Sequence, residues 1–326
     1  MAMALGNVGV VIIGRNEGQR LVDCLDSLGE LAARSVYVDS GSSDGSQAMA
    51  RARGLTVVDL DTTIPFTAAR ARNAGFAQLI NDHDPRFVQF VDGDCMLDAG
   101  WMTTAQAFLN ERPDVALVCG RRRERYPDRT FFNAMCDREW DGPIGEIAEC
   151  GGDFLVRAEV FKAVGGFRPD LIAGEEPELC VRLRESGALI WRLPAEMTLH
   201  DANIVRLGQW WRRAVRSGHA FAEVSALHRD NAHGIWRRNV LRALGWSAIA
   251  PVSLLLSAFF GPAWLLLMLA YPADIARQAL RMGASDPENW RAAAFSVLGK
   301  FAESQGIAKF YLEKLAGRRA LLIEYK

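Results

Sequence analysis

The chain has 326 residues, half of them hydrophobic, with a formal net charge of −1. That length buries a large core and allows one to three domains, and the near-neutral balance excludes a global field for nucleic acid. The six cysteines lie far apart with no C-x-x-C pair, which argues against a zinc module or a disulfide framework and fits a reducing compartment. In chain order, Val8 to Ile13 is a β-branched apolar run and reads as a buried parallel strand. No basic segment precedes it, so no signal peptide is expected. Residues 17 to 33 have helical spacing, with Leu21, Leu25 and Leu28 on one face. Val36 to Val38 is a second strand, running into Asp39-Ser-Gly-Ser-Ser-Asp44-Gly. Helix 46–53, strand 56–60, helix 68–80 and strand 87–91 follow. This alternation with short links predicts a doubly wound α/β sheet, in which ligands bind at the carboxyl ends of the strands.

Arg15, Asp39 and the pair Asp92 and Asp94 all fall at such ends. The stretch FVQFVDGDCMLD carries the last two. Side chains alternate along a strand, so Asp92 and Asp94 leave its end on one side, with Gly93 admitting a ligand between them. Two convergent carboxylates suit a hard divalent cation, Mg²⁺ or Mn²⁺, that bridges a diphosphate. A further strand is expected at 115–119. Residues 121–142, charged and aromatic, read as a mobile loop over a site.

The character changes near residue 205. QWWRRAVRSGHAFAE is a helix with Trp and Arg interleaved, a pattern that suits contact with lipid headgroups or a lipid diphosphate. Arg242 and Asp274 then bracket 31 uncharged residues, 243–273, interrupted by Pro251 and by Gly261-Pro262. That run is long for one membrane span and short for two. With basic residues on both flanks, a re-entrant or interfacial hairpin with both ends on the cytoplasmic side is expected. An amphipathic helix at 288–316 closes the pattern. The expected organisation is residues 1–205 as an α/β domain and 206–326 as a helical membrane-associated region.

The motifs VVIIGRNEG, VDSGSSDGS, RARNAGF, VDGDCM, GGDFLVRAEVFKAVGGF and GEEPELCVRLRESG, taken together and in this order, resemble a family-2 glycosyltransferase with the GT-A fold, built on a Rossmann-like, mostly parallel sheet. The resemblance covers roughly residues 8–187. It implies that Asp39 binds the nucleotide base, usually uracil, and that Asp44 is a turn residue capping the next helix. It places Arg72, beside Asn73, near the nucleotide, with Arg15 a lesser contact. Asp94 is then the principal metal ligand, Asp92 meets the ribose or the metal, and His200 is a further ligand to Mn²⁺ or Mg²⁺. Glu176 falls at the position of the catalytic base, where Asp is commoner. An acid flanked by Glu175 and Glu178 has a raised pKa, although a helix N-terminus favours the charged form. Gly151, Gly152, Asp153 and Glu175 would line the acceptor side.

The implied activity is metal-dependent, inverting transfer from a UDP-linked nucleotide sugar. The C-terminal region resembles bacterial enzymes that build exopolysaccharide or cell-surface glycans on polyprenyl-diphosphate carriers. It suggests a lipid-linked saccharide acceptor and contact with membrane lipid at the cytoplasmic face of the inner membrane. Two alternatives stand beside this reading. A sugar-nucleotide nucleotidyltransferase would want a glycine-rich, lysine-bearing loop after the first strand, which GRNEGQR does not provide. A non-catalytic nucleotide-sugar-binding protein would tolerate loss of Glu176 and Asp94.

Overall fold

A computed structural model describes residues 7–318 and residue 323. The expectations for the first six residues, and for the closing LLIEYK apart from Ile323, lie outside the described residues. The chain divides between Val205 and Arg206 into two compact units.

The first unit is built on one nine-stranded sheet. Its elements are β1 (Val8–Gly14), α1 (Gln19–Ser27), β2 (Ser35–Asp39), α2 (Ser46–Ala52), β3 (Thr56–Asp59), α3 (Ala68–His83), β4 (Phe87–Asp92), β5 (Cys95–Leu97), α4 (Trp101–Glu111), β6 (Val115–Glu124), α5 (Phe131–Glu139), β7 (Gly145–Glu146), β8 (Phe154–Arg157), α6 (Ala158–Ala163), α7 (Glu175–Glu185) and β9 (Leu189–His200). The strand order is β3-β2-β1-β4-β8-β6-β9-β5, with β7 added beside β9. The α/β class is as expected. The sheet is parallel through β3, β2, β1 and β4 and again between β6 and β9; β8 runs antiparallel to both β4 and β6, and β5 and β7 run antiparallel to β9. Val8, Val10, Val11, Ile12, Val36, Val38, Val88, Phe90, Phe154 and Leu155 are buried along the central strands. Their burial on both faces explains continuous apolar runs where a one-sided strand would alternate.

Register fixes the site. Gly14 pairs with Asp39, and Ile13 with Asp92, so β2, β1 and β4 end at one level. Asp39 and Asp92 therefore stand two strand spacings apart, about 10 Å.

Two expectations need correction. The helix proposed for 17–33 stops at Ser27, and Gly29–Arg34 is a 3-10 segment. Residues 121–142 are not a mobile loop. β6 continues to Glu124 beside the end of β9, pairing Arg122 with Thr198 and Glu124 with His200, and Phe131–Glu139 is helical. The arginines that looked loop-like are held by acids: Arg121 by Asp137, Arg123 by Glu196 and Arg125 by Asp23.

The second unit is helical: α8 (Leu207–Leu227), α9 (Arg237–Phe260), a 3-10 segment Pro262–Leu269, α10 (Ala270–Met282) and α11 (Pro287–Leu315). α8 and α11 pack backbone to backbone at Gly218 and Gly306. The paired tryptophans, expected to face lipid headgroups, turn toward α11 instead, Trp210 buried and Trp211 half-buried. Trp210 is buried, with its ring 5.0 Å from that of Phe295, and Trp211 Nε1 donates to Gln305. α9 is long and apolar enough to cross a membrane, and only 11% of its most apolar window is buried. Pro251 interrupts its hydrogen bonding. The Tyr271 hydroxyl inserts at the preceding residue, accepting from Ala250 N and donating to the Trp246 carbonyl.

Candidate active site

The loops after β1 and β2 are bolted together. Asn16 N donates to Ser42 Oγ, and Ser43 N to Asn16 Oδ1. Asp44 accepts from Gly18 N and Ser46 N, so it is the expected turn residue, although Gly45 occupies the N-cap position of α2. Within this frame Asp39 is almost fully buried. Its Oδ2 accepts from Gly41 N, Ser42 N and Gln47 Nε2, and its Oδ1 from Tyr37 Oη. One acceptor position on Oδ1 remains uncommitted. Arg15 lies just beyond β1, exposed.

The centre of the site is Arg72. α3 opens on Thr67, whose hydroxyl accepts from Arg70 N, and Arg72 lies on the buried face of that helix. Its Nη2 is 2.7 Å from Asp92 Oδ1, and its Nη1 is 2.7 Å from Glu176 Oε1 and 3.0 Å from Glu175 Oε1. Neighbouring Asn73 exchanges two hydrogen bonds with the Phe167 backbone, and the Phe167 ring lies 5.5 Å from the guanidinium. Arg72 was expected at the nucleotide. It is instead committed to the acids and joins β4 to the first turn of α7. Gly152 closes the cluster from the other side. A Cβ there would stand 2.6 Å from Arg72 Nη2, 3.0 Å from Asp92 Oδ2 and 3.2 Å from Glu176 Oε1.

Glu176 has its pKa pushed up to about 7. Burial is the main cause, followed by the Glu175 charge. Arg72 opposes the rise and Asp92 adds to it. The raised pKa is as expected, but Glu178 is not among its main causes: buried, it chelates Arg182 on its own helix. Asp92 is held below the usual carboxylate range. Burial opposes this, but Arg72 and Arg122 outweigh it.

Asp94 and His200 form the adjoining part. Cys95 pairs with His200 across β5 and β9, which brings His200 Nε2 to 3.2 Å from Asp94 Oδ2. Asp94, Cys95 and His200 present donor atoms within 4.8 Å of one another, as do Asp92, Cys95 and Asp153. These residues fit a divalent cation. Cis ligands of an octahedral ion stand about 3 Å apart, and carboxylate with imidazole suits Mn²⁺. Asp92, Asp94, Asp153, Glu175 and Glu176 gather around Arg72 and Arg122.

Asp153 is a correction. Expected to meet an acceptor hydroxyl, its carboxylate is fully enclosed. It accepts from Asp92 N, Arg122 Nε and Thr198 Oγ1. Gly151 is exposed beside it, and Glu175 is buried on Arg72. Arg122 was missed by the sequence reading. It contacts Asp153 at 2.9 Å, Asp92 at 3.3 Å and Cys95 Sγ at 3.4 Å, and it lies over Trp140. The available signal was alternation: continuing β6 at period two past Cys119 extends the strand through the arginines.

Residues 9–162 match the family model described as Glycosyl transferase family 2. The chain therefore carries a family 2 glycosyltransferase domain, and it has the GT-A fold. It is 27% identical over 242 residues to a pre-mycofactocin glycosyltransferase of Mycobacterium tuberculosis (strain H37Rv), covering 69% of this chain and 48% of that protein. It is 28% identical over 175 residues to the succinoglycan biosynthesis protein ExoA of Rhizobium meliloti (strain 1021), covering 51% and 53%. The chain thus spans about half the length of these relatives. Among solved structures, the mannosyltransferase PcManGT from Pyrobaculum calidifontis, in complex with GDP-Man and Mn²⁺, aligns with a TM-score of 0.59 at 19% identity, over 94% of this chain and 88% of that one. S. aureus TarS 1-349 aligns with a TM-score of 0.53 at 14% identity, over 96% and 92%. The same TarS fragment in complex with UDP-GlcNAc gives 0.50 at 16% identity, over 96% and 92%. At these identities the likeness is one of fold.

Proposed function

We propose that the chain is a metal-dependent inverting glycosyltransferase that takes a UDP-linked sugar and extends a lipid-linked saccharide in surface polysaccharide synthesis. The observation that carries the reading is the Arg72 fork. It holds Glu176 and Asp92 on one guanidinium, beside the Asp94–His200 pair. In this reading Asp94 and His200, with Asp92 adjacent, hold Mn²⁺ or Mg²⁺, which when bound neutralises the departing diphosphate. Glu176 accepts the proton of the acceptor hydroxyl as that oxygen forms the new bond to the anomeric carbon. The bond from that carbon to the diphosphate breaks, and the nucleoside diphosphate leaves with the electron pair. Glu176 serves as the one base and no side chain bonds to the sugar in this reading, so the anomeric configuration inverts. Arg72 positions Glu176 against Asp92, and Gly152 leaves room for that fork where a side chain would crowd it.

Asp39 is assigned to the base. Its single uncommitted acceptor position suits the one ring N–H of uracil better than the two donors on the edge of guanine. The lipid-linked acceptor is supported by the apolar, exposed α9 and by the relative named for succinoglycan biosynthesis. Membrane association at the cytoplasmic face follows from the same helix and its basic flanks.

The test is a donor panel. Purified chain with Mn²⁺ meets UDP- and GDP-sugars, and nucleoside diphosphate release and thermal stabilisation are measured. Turnover of a UDP-sugar that Glu176→Gln abolishes, with donor stabilisation retained, is the expected result. Stabilisation by no nucleotide sugar ends the reading.

A further inference from the structure

The helical unit contains a cavity of about 340 Å³ that the glycosyl-transfer chemistry does not use. Three helices wall it: Arg242 and Trp246 from α9, Asp274, Arg277, Gln278 and Arg281 from α10, and Ser296, Val297 and Lys300 from α11. Four cations face one acid. Asp274 is already occupied by Arg277 and by Gln278 Nε2, and Lys300 is held by Glu303. Arg242 and Arg281 make no ion pair with any described residue. The cavity therefore offers two uncommitted guanidiniums, converging from different helices, with amide and hydroxyl donors beside them. Guanidinium forks of this kind match phosphate oxygens.

Its place along the chain is informative. Arg242 is the last charge before the apolar run and Asp274 the first after it. The two ends of the hairpin thus return to one point, and the cavity sits there. Beyond that point the hairpin surface is apolar and exposed: Leu254, Leu255, Phe259, Phe260, Leu266 and Leu269 are each more than half exposed. A surface of this kind calls for a lipid environment. Charges at its edge lie at the depth of lipid headgroups, where Trp246 is also at home.

We propose that this cavity is a phosphate-binding site, and that it takes the headgroup phosphate of an anionic lipid while the hairpin lies in the apolar layer. The proposal is independent of the donor and acceptor assigned above. Full-length protein is mixed with phosphatidylcholine vesicles and with vesicles that also contain phosphatidic acid, and binding is followed by co-sedimentation. Arg242→Gln and Arg281→Gln should each weaken binding to the anionic vesicles about fivefold, the effect of one basic residue near an anionic lipid surface. Binding to phosphatidylcholine alone should be unchanged. Arg238→Gln is the control: it removes an exposed arginine of the same helix that does not line the cavity. An equal loss in all three variants overturns the site, because it reports surface charge alone. A second arm adds pyrophosphate without vesicles. Stabilisation of the parent chain that both cavity variants lose keeps the site and makes a free phosphate its source. No response to either vesicles or pyrophosphate overturns the proposal. Far-UV circular dichroism of each variant verifies the fold.

Discussion

Gly152 lies so close to Arg72 that a methyl group at 152 would stand 2.6 Å from Nη2. The clash is with the tip of a long side chain, so the fold can yield. What yields is the fork that holds Asp92 and Glu176. Gly152→Ala should therefore leave the melting temperature nearly unchanged while lowering turnover on the order of a hundredfold, the usual cost of a small misplacement of reacting groups. Steady-state kinetics beside a thermal melt separates the two effects. Full activity in the variant would mean that Arg72 positions nothing.

Glu176 must be ionised to accept a proton. With its pKa near 7, kcat/KM should rise with pH through neutrality and level off above it. Burial is the main cause of that value and the Glu175 charge the second. Glu175→Gln removes a like charge, so the acid limb of the profile should move to lower pH. Glu176→Gln should cost about 10²–10⁴ in rate, the range of a general base. A limb that stays in place in Glu175→Gln would assign it to another group.

Asp39, Asp92 and Glu176 were legible because each sits where pattern meets position: two at the ends of apolar strands, one at the first turn of a charged helix. Pairing geometry was not legible. His200 becomes a neighbour of Asp94 only because β5 folds back against β9, more than a hundred residues along the chain. Arg122 was concealed for a similar reason. A strand carrying RRRE looks like a loop until its partner strand supplies Thr198 opposite Arg122 and Asp153 arrives just before β8 to balance the charge. Trp210 and Trp211 misled in the opposite direction. An aromatic, basic helix reads as a lipid-facing surface, yet their partners on α11 lie some ninety residues away. Local chemistry located the acids; long-range pairing decided what each one touches.

The Asp94–His200 contact predicts a measurable ion effect. Mn²⁺ should raise the melting temperature of the parent chain, and Asp94→Asn should abolish the increment. His200→Ala should reduce it, since one of the donor atoms is lost while Asp94 remains. Differential scanning fluorimetry with Mn²⁺ and with EDTA reads this without any substrate. An undiminished increment in Asp94→Asn would place the ion elsewhere.

Arg122 and Asp153 are an enclosed pair, with Asp153 fully buried. Removing one partner leaves the other charge unbalanced, which costs about 3–5 kcal/mol where the site is well buried. Arg122→Met should therefore unfold at markedly lower denaturant. Replacing both, as Arg122→Met with Asp153→Leu, should recover part of the loss, because no orphan charge remains. Equilibrium urea melts of the two variants decide this. A double variant no better than the single would show that the pair acts through its hydrogen bonds to Asp92 and Thr198 and not through charge.

The crossing of α8 and α11 depends on two glycines. A Cβ at Gly218 would stand 1.9 Å from the Glu303 carbonyl oxygen, and one at Gly306 would stand 2.0 Å from that of Val215. Backbone cannot swing aside as a side-chain tip does, so the helices must separate along the interface. Overpacking of this kind costs about 1–3 kcal/mol and sometimes more. Gly218→Ala and Gly306→Ala should each lower the melting temperature. The pair should cost less than the sum, because one separation relieves both clashes. Gly245→Ala on α9 is the internal control. Nothing lies within 4 Å of its added methyl, so helix propensity alone should stabilise that variant by up to about 1 kcal/mol. Thermal melts followed by far-UV circular dichroism give all four values. If Gly218→Ala behaves like Gly245→Ala, the two helices do not cross where the structure places them.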